Sequence, residues 1–485
     1  MRIFYILLLC SISASAQHKF LEIPNDLKQG QRFVQDAFAV VNETEHTFAI
    51  FIDDNKTLNG YLYNQNLEQL AKYASDGLPN RYNQIIGQTI RGNQIRLYLT
   101  NATYKKFGTI LFDFDTGKSI ETEFDFKLKK DRFLQSHSYD DHFYILTVDK
   151  RASVLNVYDF DHKGEFKTKS FDFTDKPIRN YENRATTLYR LFTEHNGFES
   201  IINVVKIDET NPNSIDITSK GSKFYDRKDS FVLTLDEGKL FTYIFEFKLP
   251  EIGVNFYALQ KPQLEHMGEN DKNNSFLFGD KLFQISGSQD ELAFSVKNIH
   301  TKEELKNISL GPDDDLSFKN TPILQEGGGI FNPDRVREME KTSKFMRKIS
   351  TGDIGVAVIP FKSGYQVTIG GEKPIGSGAG ALLLVGGMAA GVPIVTAGAY
   401  NMTYNPVYFA YNSYSATQSI RIECLFDEFF NHIEGDVPEN PFTEIRAFSD
   451  KIKFPKAENV FKLQDNFIYG VYNADEQRYT LTKFD

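Results

Sequence analysis

Short runs of alternating apolar and polar residues recur along the chain, and two neighbouring copies show the pattern most clearly. At 94–115 the run QIRLYLT is followed by GTILFDFD, and at 142–161 the run HFYILTV is followed by VLNVYDFD. Alternation with a period of two is typical of strands that bury one face. Turn residues such as Gly92-Asn93 and Asp140-Asp141 precede these runs, as hairpins require. The pattern predicts an all-β chain.

The copies are regularly spaced. In units of four strands, the first apolar residue of the second strand falls at Phe48, Ile95, Phe143, Leu188, Leu240, Leu282, Tyr365 and Phe467. The first five intervals are 47, 48, 45, 52 and 42 residues, a typical length for one four-stranded blade of a β-propeller. We therefore expect a single β-propeller over residues 17–485, with about eight blades or alternatively seven. Two sandwiches built from unrelated meanders are the competing interpretation.

The two ends of the chain predict how the ring closes. The last unit stops at its third strand, close to Asp485, so it lacks a fourth strand. The segment HKFLEIPND at 18–26 resembles FKTKSFDF at 166–173, which is in the fourth-strand position. Because an unpaired strand edge is a liability, we expect the N-terminal segment to complete the C-terminal blade.

Two long intervals contain insertions, at 324–352 and 374–420. In the first, Asn332 and Pro333 are typical of a helix start. Apolar residues then recur at helical spacing, which predicts a short amphipathic helix that begins at residue 333 and ends before residue 352. The second contains no Asp, Glu, Lys, Arg or His. If strands alternate in direction, both insertions leave the same face of the propeller, where binding loops are commonly found.

The apolar core of the second insertion, GAGALLLVGGMAAGVPIV at 378–395, has three interpretations. A low-complexity loop is favoured, because the segment is biased towards Gly and Ala and contains Pro393. A helix that pairs through Gly387 and Gly391 is the second. A transmembrane helix is the third, and an integral span is disfavoured because the segment is short.

The N-terminus predicts export. Arg2 precedes an apolar stretch at 3–10 and the A-x-A motif at 14–16, a signal peptide with cleavage after Ala16. Lipid attachment at Cys10 is a less favoured alternative. We expect a periplasmic, extracellular or cell-surface protein. Cys424 is then the only cysteine of the mature chain, which predicts a small buried residue and no internal disulfide.

Composition limits the chemistry further. The 485 residues carry a net charge of -10, which argues against nucleic-acid binding. His137 and His142 flank a turn. The Asp pairs of DFDTG (113–117) and DFDHKGE (159–165) are more typical of hairpin turns than of calcium-binding loops. The acidic run at 313–315 suits a solvated loop. The sequence predicts no catalytic, cofactor-binding or metal-binding residue and no cofactor.

The favoured function is an exported, non-enzymatic binding or scaffold module, whose partner is an unidentified protein or glycan and whose oligomeric state is open. The alternative is a glycan- or ester-processing enzyme that uses carboxylates around the central channel, because propeller enzymes draw their site residues from several blades. Membrane association through 378–395 is a third possibility.

Overall fold

The computed structural model describes residues 18–24, 34, 36–54, 57–79, 81–193, 202–266, 268, 271–326, 336–373, 401–402, 405–414, 418–473 and 475–484. The strands of this part of the chain are β1 (His18–Pro24), β2 (Asp36–Asn42), β3 (Thr47–Asp53), β4 (Leu58–Asn64), β5 (Gln69–Ser75), β6 (Gln84–Arg91), β7 (Gln94–Thr100), β8 (Phe107–Asp113), β9 (Lys118–Phe124), β10 (Asp131–Tyr139), β11 (His142–Asp149), β12 (Val154–Phe160), β13 (Phe166–Asp172), β14 (Val205–Ile207), β15 (Ser222–Arg227), β16 (Ser230–Leu235), β17 (Phe241–Lys248), β18 (Gly253–Gln260), β19 (Lys272–Phe278), β20 (Lys281–Gly287), β21 (Leu292–Asn298), β22 (Glu304–Leu310), β23 (Ile323–Glu326), β24 (Val336–Met339), β25 (Asp353–Phe361), β26 (Gly364–Lys373), β27 (Asn401–Met402), β28 (Gln418–Phe426), β29 (Lys456–Leu463), β30 (Asn466–Asn473) and β31 (Arg478–Phe484). The helices are α1 (Leu188–Thr193), α2 (Ile215–Thr218), α3 (Thr342–Ile349), α4 (Pro406–Ser413) and α5 (Pro441–Ser449).

These strands form seven sheets in the described part of the chain, each built around four antiparallel strands. Most sheets take their strands consecutively from the sequence, in the orders β2-β3-β4-β5, β6-β7-β8-β9, β10-β11-β12-β13, β15-β16-β17-β18 and β19-β20-β21-β22. The first strands of successive sheets contact one another, as in the pairs β2 with β29, β6 with β10, and β19 with β25. This arrangement is a β-propeller, and the predicted fold class is confirmed.

Burial within a blade explains the sequence pattern. Every residue of β3 is buried, because a middle strand is covered on both faces by the neighbouring blades. Most residues of the outer strand β13, with the sequence FKTKSFD, are exposed. Middle strands therefore read as nearly continuous apolar runs, whereas outer strands are polar.

The number of sheets fits the lower of the two expected blade numbers. Leu188, expected to start the second strand of a unit, lies instead in helix α1. Strand β17, which starts at Phe241, is the third strand of its sheet and not the expected second. The true second strand is β16, whose sequence SFVLTL is also an alternating apolar run.

The expected ring closure is confirmed. Strand β1 pairs antiparallel with β31 and completes the sheet β1-β31-β30-β29. Ile23 lies opposite Tyr479, and both side chains are fully buried in one cluster with Leu481 and Phe48. The first strand of the described chain therefore closes the last blade through both backbone and core contacts.

The first insertion differs from its prediction. Residues 336–339 form strand β24, which pairs with β23, and the helix begins only at Thr342. The expected start at Asn332 and Pro333 lies outside the described residues. Strand β23 also pairs with β28, so the β23-β24 hairpin forms the outer edge of the sixth sheet, β24-β23-β28-β26-β25.

The described part of the second insertion is not a simple loop. Residues 401–402 form β27, which pairs in parallel with β6, and helix α4 follows, capped by the side chain of Asn405. The segment 378–395, with its three interpretations, lies outside the described residues. Among the helices that the structure describes, none is long and apolar enough to cross a membrane.

Both insertions attach at the same end of the propeller, as expected. Asp353, the first residue of β25, pairs with Glu372, the penultimate residue of β26. The first insertion ends where β25 begins, and the second begins where β26 ends. We call this the insertion end; the innermost strands of the blades start here.

The ring closure generates a stability prediction. The substitution Ile23→Ala should lower the free energy of unfolding by about 2–4 kcal/mol, because it leaves a cavity between β1 and β31. Chemical denaturation of the wild type and the variant measures this change. Leu21→Ala, at a partly buried position on the same strand, should cost less than half as much. Equal effects would contradict the larger contribution assigned to the fully buried Ile23.

A polar cavity at the insertion end

Segments of the chain itself occupy the axis of the propeller. Strand β14 pairs in parallel with the innermost strand β15, and β27 does the same with β6. Helix α2 contacts β25, and α4 contacts β29. The hydroxyl groups of Ser214, which caps α2, and Ser413, in α4, are 2.7 Å apart and join the two segments. The axis is therefore packed with buried side chains, including Ile217 and Tyr411.

A cavity of about 480 Å³ opens beside this packed axis. The first residues of three innermost strands, Ser222, Lys272 and Asp353, all line it, so it lies at the insertion end. Its other lining side chains are mainly polar, among them Tyr181, Lys220, Glu237, Asp271 and Asn273. Three blades thus contribute donors and acceptors to one concave surface.

A buried ion pair lies beneath the cavity. Lys223, on β15, has Nζ 3.1 Å from Oδ2 of Asp236, and neither side chain is exposed by more than 1%. Asp236 also accepts hydrogen bonds from the hydroxyls of Thr242 and Ser275, at 2.7 and 2.8 Å. Burial lowers the pKa of Lys223. Burial alone would raise the pKa of Asp236, but the ammonium groups of Lys223 and Lys261 outweigh it and leave that pKa below its usual value.

Lys261 is a second buried lysine of this network. Its Nζ donates to the backbone oxygens of Asp236 and Gly238, at 2.6 and 2.7 Å, and to the side chain of Asn273. Burial lowers the pKa of Lys261 to about 8, against the attraction of Asp236. Since Asn273 lies on β19, the network joins two blades directly below the cavity.

A second buried network links the cavity wall to the second insertion. Lys220 lies between two carboxylates, with Nζ 2.7 Å from Glu372 and 3.2 Å from Asp216. The hydroxyl of Ser219 also donates to Glu372, at 3.2 Å. Burial raises the pKa of Glu372 to about 8, and the nearby Asp216 adds to this. Burial opposes the charge on Lys220, but the two carboxylates prevail and raise its pKa.

The histidines that the sequence analysis discussed lie elsewhere. His137, on β10, contacts the carboxylate of Asp226 through Nδ1 and is buried in the ring. His142 has Nδ1 2.6 Å from Asp159. Neither lines the cavity.

The predicted hairpin and acidic residues also lie away from the cavity. Asp113 and Asp161 accept hydrogen bonds from backbone N–H groups of their own turns, which is the hairpin role expected of them. Asp314 accepts from the backbone N–H of Gly311. Cys424 is buried in β28, and burial raises the pKa of its thiol.

Sequence reasoning missed the residues that build the cavity. Asp236 directly follows the largely apolar run of β16, whereas Lys223 and Glu372 lie in strands that also contain other polar residues. A charged residue in such a run is a usable signal, because burying an unpaired charge is costly. The signal does not identify the partner, since the pairs join residues 13 and 152 positions apart.

Comparisons with known proteins find only low similarity to this chain. The chain matches no family model and no curated protein. The WD40 domain of SCAP from fission yeast is 9% identical with a TM-score of 0.33, over 96% of this chain and 98% of that one. A prolyl endopeptidase structure is 9% identical with a TM-score of 0.33, over 90% of this chain and 45% of that one. The Dos1 propeller is 9% identical with a TM-score of 0.26, over 69% and 66%. The sheet topology itself therefore defines the fold.

The ion pair beneath the cavity generates a second prediction. Asp236→Asn should lower the free energy of unfolding by about 3–5 kcal/mol, because two buried lysines lose their counter-charge. Glu123→Gln removes one partner of the half-exposed pair with Arg81 and should cost at most about 1 kcal/mol. Urea denaturation of both variants tests this; similar costs would contradict the role assigned to Asp236.

The raised pKa of Glu372 generates a pH prediction. Between about pH 4.5 and pH 8 the folded protein keeps a proton that the unfolded chain has lost, so stability should fall as the pH rises through this window. Glu372→Gln should remove the contribution of Glu372 and leave a flatter profile, although the buried Asp36, whose pKa burial also raises, keeps a decline of its own. Glu439→Gln, at an exposed site, should leave the wild-type profile unchanged. Thermal unfolding across the pH range measures all three, and identical profiles would count against the buried carboxyl.

Proposed function

We propose that the protein is an exported, non-enzymatic binding module that holds a glycan in the cavity at its insertion end. The observation that carries this proposal is one concave, polar surface assembled from three blades at the end where both insertions attach. A volume of about 480 Å³ lies within the range of small-molecule sites in proteins.

The lining chemistry favours a ligand rich in hydroxyl groups. Asp271 and Asp353 supply acceptors, Lys220 and Lys272 supply donors, and Asn273 supplies both. Tyr181 adds an aromatic ring and is held by a 2.7 Å hydrogen bond from its hydroxyl to the backbone oxygen of Asp271. An apolar ligand would leave these groups without partners, which is costly.

The surroundings suit a preorganised site. Asn273 is held from below by Lys261, and Lys220 is held from the side by Glu372 and Asp216. Helix α3 approaches the same region, because Gly371 leaves no side chain between β26 and Ile349. A Cβ at Gly371 would lie 2.9 Å from the Cα of Ile349. Such rigidity lowers the entropic cost of binding.

A glycan-processing enzyme is the second candidate. The carboxylates of Glu237, Asp271 and Asp353 line one cavity, and paired carboxylates carry out glycoside hydrolysis. The packed axis counts against the version in which carboxylates line an open central channel. Release of reducing ends from a bound glycan, abolished by Asp271→Asn or Asp353→Asn, would favour the enzyme.

Binding to an array of neutral and acidic oligosaccharides tests the proposal. The double variant Lys272→Ala/Asp353→Ala should weaken binding at least about tenfold, since it removes a donor and an acceptor. The control Asp125→Ala/Lys127→Ala removes one exposed pair of the same charges and should bind as the wild type does. Binding that both double variants retain, or an array without any bound glycan, would overturn the proposal.

A further inference from the structure

A second cavity, at the outer edge of the sixth sheet, differs from the first in its charge. Its volume is about 650 Å³, and it lies between the residues before β23 and the junction of β24 with α3. The basic side chains that line it are Lys319, Arg337, Lys341 and Lys344, and the acidic ones are Glu338 and Glu340. We call it the basic cavity. A basic concavity is notable on a chain whose net charge is -10.

The four cations of the basic cavity are free to meet a ligand. None of them makes a side-chain hydrogen bond or ion pair within the described part of the chain. The neighbouring Lys348 differs, because its Nζ donates to Gln325 at 2.7 Å. Arg337, Lys341 and Lys344 are exposed, whereas the less exposed Lys220 and Arg421 each pair with a carboxylate. Unpaired like charges around one concavity repel one another, and a bound anion would relieve that repulsion.

Basic side chains outnumber acidic ones in the lining of this cavity by four to two. Successive side chains of a strand point to opposite faces, so Arg337 shares the face of the buried Met339, while Glu338 lies on the other. Helix α3 contains no acidic residue, and its N-cap, Lys341, provides no side-chain hydrogen bond to the first turn. The partial positive charge of the helix start therefore adds to the side chains of Lys341 and Lys344.

We propose that the basic cavity binds the acidic groups of an oligosaccharide whose sugars carry carboxylates or sulfates. This rests on the proposed glycan binding, and it specifies the class of glycan. Helix α3 joins the two cavities: Lys341 and Lys344 line the basic cavity, and Asp353, which follows its C-terminal end, lines the polar one. Its eight residues span about 12 Å, so one chain of sugars can reach both.

The shape of the surface favours a glycan over a membrane. Proteins that bind anionic lipid surfaces usually pair basic residues with exposed apolar side chains. Here the cations line a concavity, and Met339, the large apolar side chain in the lining, is only 7% exposed. An extended chain with spaced acidic groups matches this geometry.

The test compares a short oligogalacturonate with its fully methyl-esterified form, which has the same sugars without the charges. Wild-type protein should bind the charged form about tenfold more tightly or better at low salt, and this preference should shrink as salt screens it. The variant Lys341→Ala/Lys344→Ala should bind both forms equally. The control Lys129→Ala/Lys130→Ala removes two exposed lysines elsewhere and should keep the wild-type preference. Circular dichroism verifies that both variants are folded.

The outcomes separate this inference from the proposed function. Equal binding of the two forms by the wild type, or a preference that survives Lys341→Ala/Lys344→Ala, overturns the inference alone. If neither form binds and a sulfated oligosaccharide also fails, both proposals fail. Equally tight binding to phosphatidylserine vesicles or to polyglutamate, lost in the same variant, would assign the basic cavity to a lipid surface or an acidic protein and overturn the glycan assignment.

Discussion

The pairing of β1 with β31 is the constraint on which the rest of the molecule depends. A ring of sheets buries the faces of every blade only if the last blade packs against the first, and that requires the ring to stay closed. The two strands come from opposite ends of the sequence, with Ile23 facing Tyr479. No disulfide is available in the described chain, where Cys424 is the free and buried cysteine. Backbone hydrogen bonds and apolar packing must therefore hold the ring together.

A closed ring leaves an axis that needs to be filled, and this chain fills it with its own segments. Strand β14 and helices α2 and α4 lie against innermost strands, so ligand space is displaced from the axis to its side. The buried charged groups near that space are paired: Lys223 with Asp236 within one blade, and Lys220 with Glu372 of another sheet. Such contacts are compatible with burial because each charge has partners. As a result, some residues that line the cavity, such as Asp236, also belong to the buried interior.

The all-β fold and its closure could be predicted because burial on a sheet has a period of two, which is visible in the sequence. Short apolar runs were ambiguous: the run at Leu188 forms helix α1, and its six residues are too few to distinguish helix from strand. Val336 and Met339 fit a helical spacing but form a strand, because β24 pairs with β23. The cavity could not be predicted, since its ion pairs, such as Lys220 with Glu372, depend on the register between separate sheets.

The route of the second insertion has a mechanical consequence. It leaves the sixth sheet after β26 and pairs through β27 with β6, three sheets further round the ring. Helix α4 then contacts β29, and the chain returns to its own sheet as β28. The second insertion thus contacts blades that are far apart in the ring. These contacts join the blades independently of the pairing of β1 with β31 that closes the ring.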